Sequence, residues 1–220
     1  MWTRDPVRVW MYEAIHAVLA RVLLVPVPRM TGKGQPSGGP VREMLEISPV
    51  AASPLQAIVA RVWGPEVQVT EAHYPAVDAE RLPYPEAAFD LVAADQVFEH
   101  IQRPWLAAAQ VTRVTRRGGL AVITTPFLHP VHRAPRDCWR FGPEAWPVLF
   151  PPEDWQTLEL GGWGDAALIA WEYAHNRQLS DPALPGYTGP RAPQMAIPGY
   201  GPEQDDGLNP IVVWWIGGRR

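Results

Sequence analysis

One stretch restricts this chain more than any other, the run from Leu82 to Ile101 that reads Leu-Pro-Tyr-Pro-Glu-Ala-Ala-Phe-Asp-Leu-Val-Ala-Ala-Asp-Gln-Val-Phe-Glu-His-Ile. A proline-rich turn leads into a buried-type strand, Phe89 to Ala94. The strand ends at a polar edge, Asp95 and Gln96, and a short helix begins. Downstream, Arg113 to Thr125 supplies a helix end, a Gly-Gly turn and a second strand. Strands that alternate with helices build a parallel sheet with right-handed crossovers. Ligands of such open sheets bind beyond the carboxyl ends of the strands, which is where Asp95 and Gln96 fall.

Composition narrows the class of function. At 220 residues the chain suits one α/β domain with a substantial core, spanning 1–220. Its net charge of −4 argues against a nucleic-acid partner or an acidic membrane surface and leaves small-molecule chemistry open. A single cysteine, Cys138, rules out an internal disulfide and a cysteine-rich zinc site, which fits a cytoplasmic setting. The six histidines lack the His-Glu-x-x-His spacing, so no metal is implied. The apolar run from Ala14 to Val27 is broken by His16 and Arg21 and ended by prolines, too interrupted for a membrane span. Pro6 to Leu24 reads instead as an amphipathic helix packed on the domain or on a partner. The 26 prolines signal rigid turns, and the 11 tryptophans demand burial.

Along the chain, 1–40 is expected to hold the N-terminal helix and a linker, with the core from 41 to 175. Within the core, strands are expected at Val41–Ile47, Glu66–Thr70, Phe89–Ala94, Leu120–Thr125 and Gln156–Leu160. Proline-opened helices are expected at Pro54–Trp63 and Pro104–Val114. Two weaker helices are expected at Pro143–Phe150 and Asp165–His175. Residues 176–209, with no clear period, suit a lid, an arm or a subunit contact in a homodimer. Ile211–Ile216 closes the chain as a last strand, paired with its predecessor in an antiparallel hairpin.

Taken as a set, Asp78-Ala79, Leu82-Pro-Tyr-Pro85, Phe89-Asp-Leu-Val92, Glu99-His100, Gly118-Gly119 and the histidine-rich loop after Thr125 resemble class I S-adenosylmethionine-dependent methyltransferases. The resemblance runs over about residues 41–175 plus the last strand. It implies a Rossmann-like fold, S-adenosylmethionine as cofactor and methylation of a small molecule in specialised metabolism. A cyclisation on the same fold, or a catalytically silent binding module, are the alternatives.

The site residues follow from that resemblance joined to residue chemistry. Glu46 and Ser48 occupy the place of the family's acidic residue and glycine-rich loop, yet residues 46–53 contain no glycine. Glu71, 23 residues beyond Ser48, is placed to accept from ribose hydroxyls. Asp78 and Ala79 correspond to the pair that holds the adenine; the alternative for Asp78 is a turn cap. Glu71 and Asp78 are only seven residues apart, so either the third strand is reduced or the sheet has lost an element. Asp95 and Gln96 face the cofactor cleft. His100 is a candidate base, although its position favours a packing role. In the loop at the end of the second strand of the pair, His129 and His132 are candidate catalytic bases. There Arg136, Trp139 and Arg140 are candidate substrate contacts, with an Asp137–Arg140 network that fixes the loop as the competing reading.

Overall fold

The computed structural model describes residues 12–13, 15–17, 19–20, 41–48, 53–129, 131, 136–164, 170 and 210–220. Six strands form one sheet: β1 (Glu43–Ile47), β2 (Gln68–Ala72), β3 (Phe89–Asp95), β4 (Thr115–Pro126), β5 (Trp155–Trp163) and β6 (Val212–Arg219). Their order is β2-β1-β3-β4-β6-β5. The first four run parallel, and β6 is antiparallel to both β4 and β5. This is the expected Rossmann-like methyltransferase arrangement, mostly parallel with an antiparallel pair from the end of the chain. Among the described residues, an N-terminal helix including 12–13, 15–17 and 19–20 is followed by α1 (Pro54–Trp63), α2 (Pro104–Val114) and the short α3 (Ala145–Leu149).

Between β2 and β3 the sequence left two outcomes open, and the sheet has lost the element. Residues 73–88 hold turns and a single 3₁₀ turn, Ala79–Arg81, with no strand. Pro75, Pro83 and Pro85 each lack the amide donor that a ladder needs. β2 lies two residues later than expected, because pairing with β1 sets its limits, with Glu46 opposite Glu71. β4 begins five residues earlier than expected, at Thr115, and its register shifts before Leu120 meets Leu91. Gly118 takes a φ of 76° at that shift, and a Cβ on Gly119 would lie 2.8 Å from the carbonyl oxygens of Arg116 and Asp90. The Gly-Gly turn is therefore demanded by backbone conformation and close approach. The proposed helix 165–175 and the segment 176–209 lie outside the described residues, apart from position 170.

Alternation along the strands sorts side chains onto two buried faces. Leu45, Val92, Ala94 and Ile123 face α2 and an aromatic cluster around Trp215. Trp215 is fully buried, with its ring stacked on Phe150 at 4.3 Å between centroids. Met44, Leu91, Ala93 and Val122 face α1 and the N-terminal helix, which contributes Tyr12, Ile15 and Leu19. Those three recur at helical spacing on one buried face, as the amphipathic pattern requires. The same period of two puts Glu46 beside Met44 and Asp95 beside Ala93, both directed to the α1 face. Among the described residues no helix is long and apolar enough to cross a membrane.

Candidate functional site

Glu46, Glu71 and Asp95 stand at the carboxyl ends of β1, β2 and β3, three neighbouring strands of the sheet. Glu46 is buried, and its carboxylate accepts from the Ser53 hydroxyl and, at 2.7 Å, from Gln56 Nε2. Burial pushes its pKa up against these hydrogen bonds. Glu71 accepts from Gln56 Nε2 at 2.8 Å and lies 2.9 Å from His73 Nε2. The Gln56 bond, followed by the His73 bond, holds its pKa below the ordinary carboxylate value. Ser48 takes a φ of 51°, a left-handed conformation that costs a residue with a Cβ about 1 kcal/mol. Its N–H donates to the Ala72 carbonyl at 2.7 Å and so ties the ends of β1 and β2 together.

The end of β3 is tied to β4 in the same manner. Asp95 accepts from the hydroxyls of Thr124 and Tyr12. Gln96, with a φ of 55°, donates its N–H to the Thr124 carbonyl at 3.0 Å, and its side-chain amide donates to Thr124 Oγ1 at 3.0 Å. Asp78 caps the 3₁₀ turn by accepting from Glu80 N–H at 2.9 Å, and Ala79 is buried under it.

Beyond β4 a cavity of about 380 Å³ opens, lined by Phe127, Leu128, His129, Asp137, Trp139 and Arg140 among others. Asp137 and Arg140 form a bidentate pair, and Arg140 also donates to the His129 carbonyl at 3.0 Å. Arg140 thereby fixes the cavity wall. Trp139 donates its indole N–H to the Ile101 carbonyl at 2.8 Å. His100 Nδ1 donates to the Arg136 carbonyl, so the nitrogen on that side carries the hydrogen and the ring anchors the loop. His132 lies outside the described residues, while His129 lines the cavity.

Sequence reasoning placed Glu99 only within the Glu99-His100 motif, and assigned Tyr12, Ser53, Gln56 and Thr124 no role as site residues. For Ser53 and Gln56 a signal existed, since Ser-x-x-Gln at a helix start is a capping-box pattern. Glu99 is fully buried behind the cavity loop, and its carbonyl accepts from Cys138 N–H at 2.7 Å. Burial, aided by the nearby charge of Asp95, pushes the Glu99 pKa up to about 8. Its carboxyl is therefore mostly protonated at neutral pH.

Residues 31–123 match the methyltransferase domain family. An uncharacterised methyltransferase of Mycobacterium avium (strain 104) is 37% identical over 68 residues, covering 30% of this chain and 27% of that protein. Another from Mycobacterium marinum (strain ATCC BAA-535 / M) is 44% identical over 50 residues, covering 22% and 20%. The matched part is thus about a quarter of those relatives' lengths. Among solved structures, a candidate sarcosine dimethylglycine methyltransferase from Galdieria sulphuraria superimposes with a TM-score of 0.51 at 11% identity, covering 78% of this chain and 68% of that one. The domain match takes in fewer than half of this chain's residues, and the sheet order is that of the Rossmann-like methyltransferase fold.

Proposed function

We propose that the chain transfers a methyl group from S-adenosylmethionine to a small-molecule acceptor held in the cavity beyond β4, a step of specialised metabolism. One observation carries the reading: acidic acceptors end three adjacent strands, and the next strand, β4, opens onto a cavity with a histidine in its wall. The donor set fits the cofactor. Glu71 is half-exposed and suits the ribose hydroxyls. Asp78, with buried Ala79 beside it, suits the adenine. Glu46, Ser48, Asp95 and Gln96 border the place of the methionine portion. The cofactor supplies an electrophilic methyl carbon on a sulfonium. The chain's part is to hold an acceptor nucleophile in line and to take its proton. His129, with His132 three positions on in sequence, is the candidate base, and Arg136 is the candidate contact for an anionic group on the acceptor.

A second reading, binding of the cofactor without methyl transfer, is favoured by the glycine-free turn and by carboxylates already engaged by Ser53, Gln56, His73, Tyr12 and Thr124. Calorimetric titration with S-adenosylmethionine tests the shared premise, and binding at micromolar concentrations is expected. Mass analysis after incubation with candidate acceptors then separates the readings. A product heavier by one methyl group supports transfer, a product of unchanged mass supports cyclisation, and no product supports a silent module. A titration without heat would remove all three.

A further inference from the structure

Ser53-Pro-Leu-Gln56 has the spacing of a capping box, in which the side chain at the third helical position folds back to the N-cap N–H. Only half of the box forms. Ser53 Oγ accepts from Gln56 N–H at 3.3 Å, but the Gln56 side chain reaches away from the cap. Its Nε2 donates to Glu46 Oε2 at 2.7 Å and to Glu71 Oε1 at 2.8 Å, which uses both hydrogens of one amide. Glu46 and Glu71 are register partners on β1 and β2. Like charges opposite one another on neighbouring strands repel, so a donor set between them decides how they stand. Glu46 is buried and also held by Ser53, whereas the Glu71 side chain is 45% exposed and touches His73 on its other oxygen. Gln56 therefore links an immobile carboxylate to a reachable one.

We propose that Gln56 is a positioning residue for a ribonucleoside ligand: its amide locks Glu71 to Glu46, so that Glu71 meets the ligand's hydroxyls in one orientation. The inference rests on the cofactor reading above. Two side chains from the first turn of α1 stabilise the strand ends where the glycine-free turn offers no glycine backbone to do so. Ordering an acceptor before binding raises affinity by removing the cost of ordering it afterwards.

The test uses the full chain and S-adenosylhomocysteine as probe, with affinity read by calorimetry and folding by circular dichroism. Gln56→Met keeps the shape of the side chain and removes both donors. It is expected to weaken binding roughly 10-fold, the scale of one charge-assisted hydrogen bond. In a Glu71→Gln background the same change should cost less than about 3-fold, because the two residues act as a unit. A purely structural role would lower the melting temperature and leave affinity alone. Gln56→Met binding as tightly as wild type overturns the proposal, as does an equal loss in both backgrounds. Should Gln56→Met fail to fold, Gln56→Glu replaces it. Its third carboxylate should also weaken binding, and wild-type affinity there overturns the proposal equally. A wild-type chain that binds no probe removes the cofactor reading and this inference together. A wild-type chain that binds while the variants match it removes this inference alone.

Discussion

The two ends of the proposed binding edge are made rigid in different ways. At β1 and β2 the carboxylates are held from outside, by Ser53 and Gln56 of α1, and at β3 by Tyr12 of the N-terminal helix. Beyond β4 the cavity loop carries a clamp of its own, a pair three residues apart, Asp137 and Arg140. His100, Trp139 and the Glu99 carbonyl then fasten that loop to the rest of the fold. The first end depends on helices packing correctly on the sheet. The second depends on a local loop seated on the aromatic face. Damage to one should therefore spare the other.

The largest effect is expected from Trp215→Ala, under the cavity half. Trp215 is fully buried and stacks on Phe150 and Trp146. Its loss should cost about 3–5 kcal/mol in urea denaturation. A cost below about 1 kcal/mol, the level of a surface change, would show that the aromatic cluster is not the base on which the loop rests.

Glu99→Gln probes the same half by pH. Native Glu99 keeps its proton up to about pH 8, whereas the unfolded chain releases it near 4.5. Between those values the native state holds more proton than the unfolded state, so wild-type stability falls as pH rises through that window. Glutamine has no proton to lose. Relative to wild type, the variant should gain a few kcal/mol in stability between pH 5 and pH 9. Parallel stability curves over that range would refute the assignment.

Asp137→Ala sharpens the contrast between the ends. Asp137 is almost fully buried and Arg140 is partly exposed, so the lost pair should cost about 2 kcal/mol, below the value for a wholly buried pair. Binding of S-adenosylhomocysteine should change by less than about 2-fold, since the Asp137–Arg140 pair lies within the cavity loop and not at the strand ends. A large affinity loss would mean that the two ends are coupled.

Ser53→Ala is the smallest and acts at the opposite end. It removes an N-cap and a donor to Glu46, for about 1 kcal/mol of stability. The fluorescence of S-adenosylhomocysteine-saturated and free protein during thermal melts would report whether that loss is confined to the free state. An unchanged melting temperature in both would deny Ser53 its role.

Much of the architecture was legible because it rests on local patterns. Proline at the first turn marked α1 and α2 at their observed limits. Apolar runs marked β3 and β6, and the short spacing from Glu71 to Asp78 showed that an element was in question. The carboxylates at strand ends were legible for the same reason, since a strand end is a local feature. The limits of β2 and β4 were not, because pairing with β1 and β3 sets them. Gln56 and Tyr12 were not, because nothing local says which strand end a helical side chain will reach. Glu99 was not, because its proton affinity comes from burial by segments distant in the chain.

Sequence alone therefore determined the alternation of strands and helices, the absence of glycine after β1 and the acidic character of the strand ends. These are properties of residues and their neighbours in the chain. Only the tertiary structure decided that the third strand is gone, that one glutamine joins two carboxylates and that a glutamate stays protonated near neutrality. Each of those depends on which groups are brought within hydrogen-bonding distance and which are shut away from water, and close packing of remote segments alone settles that.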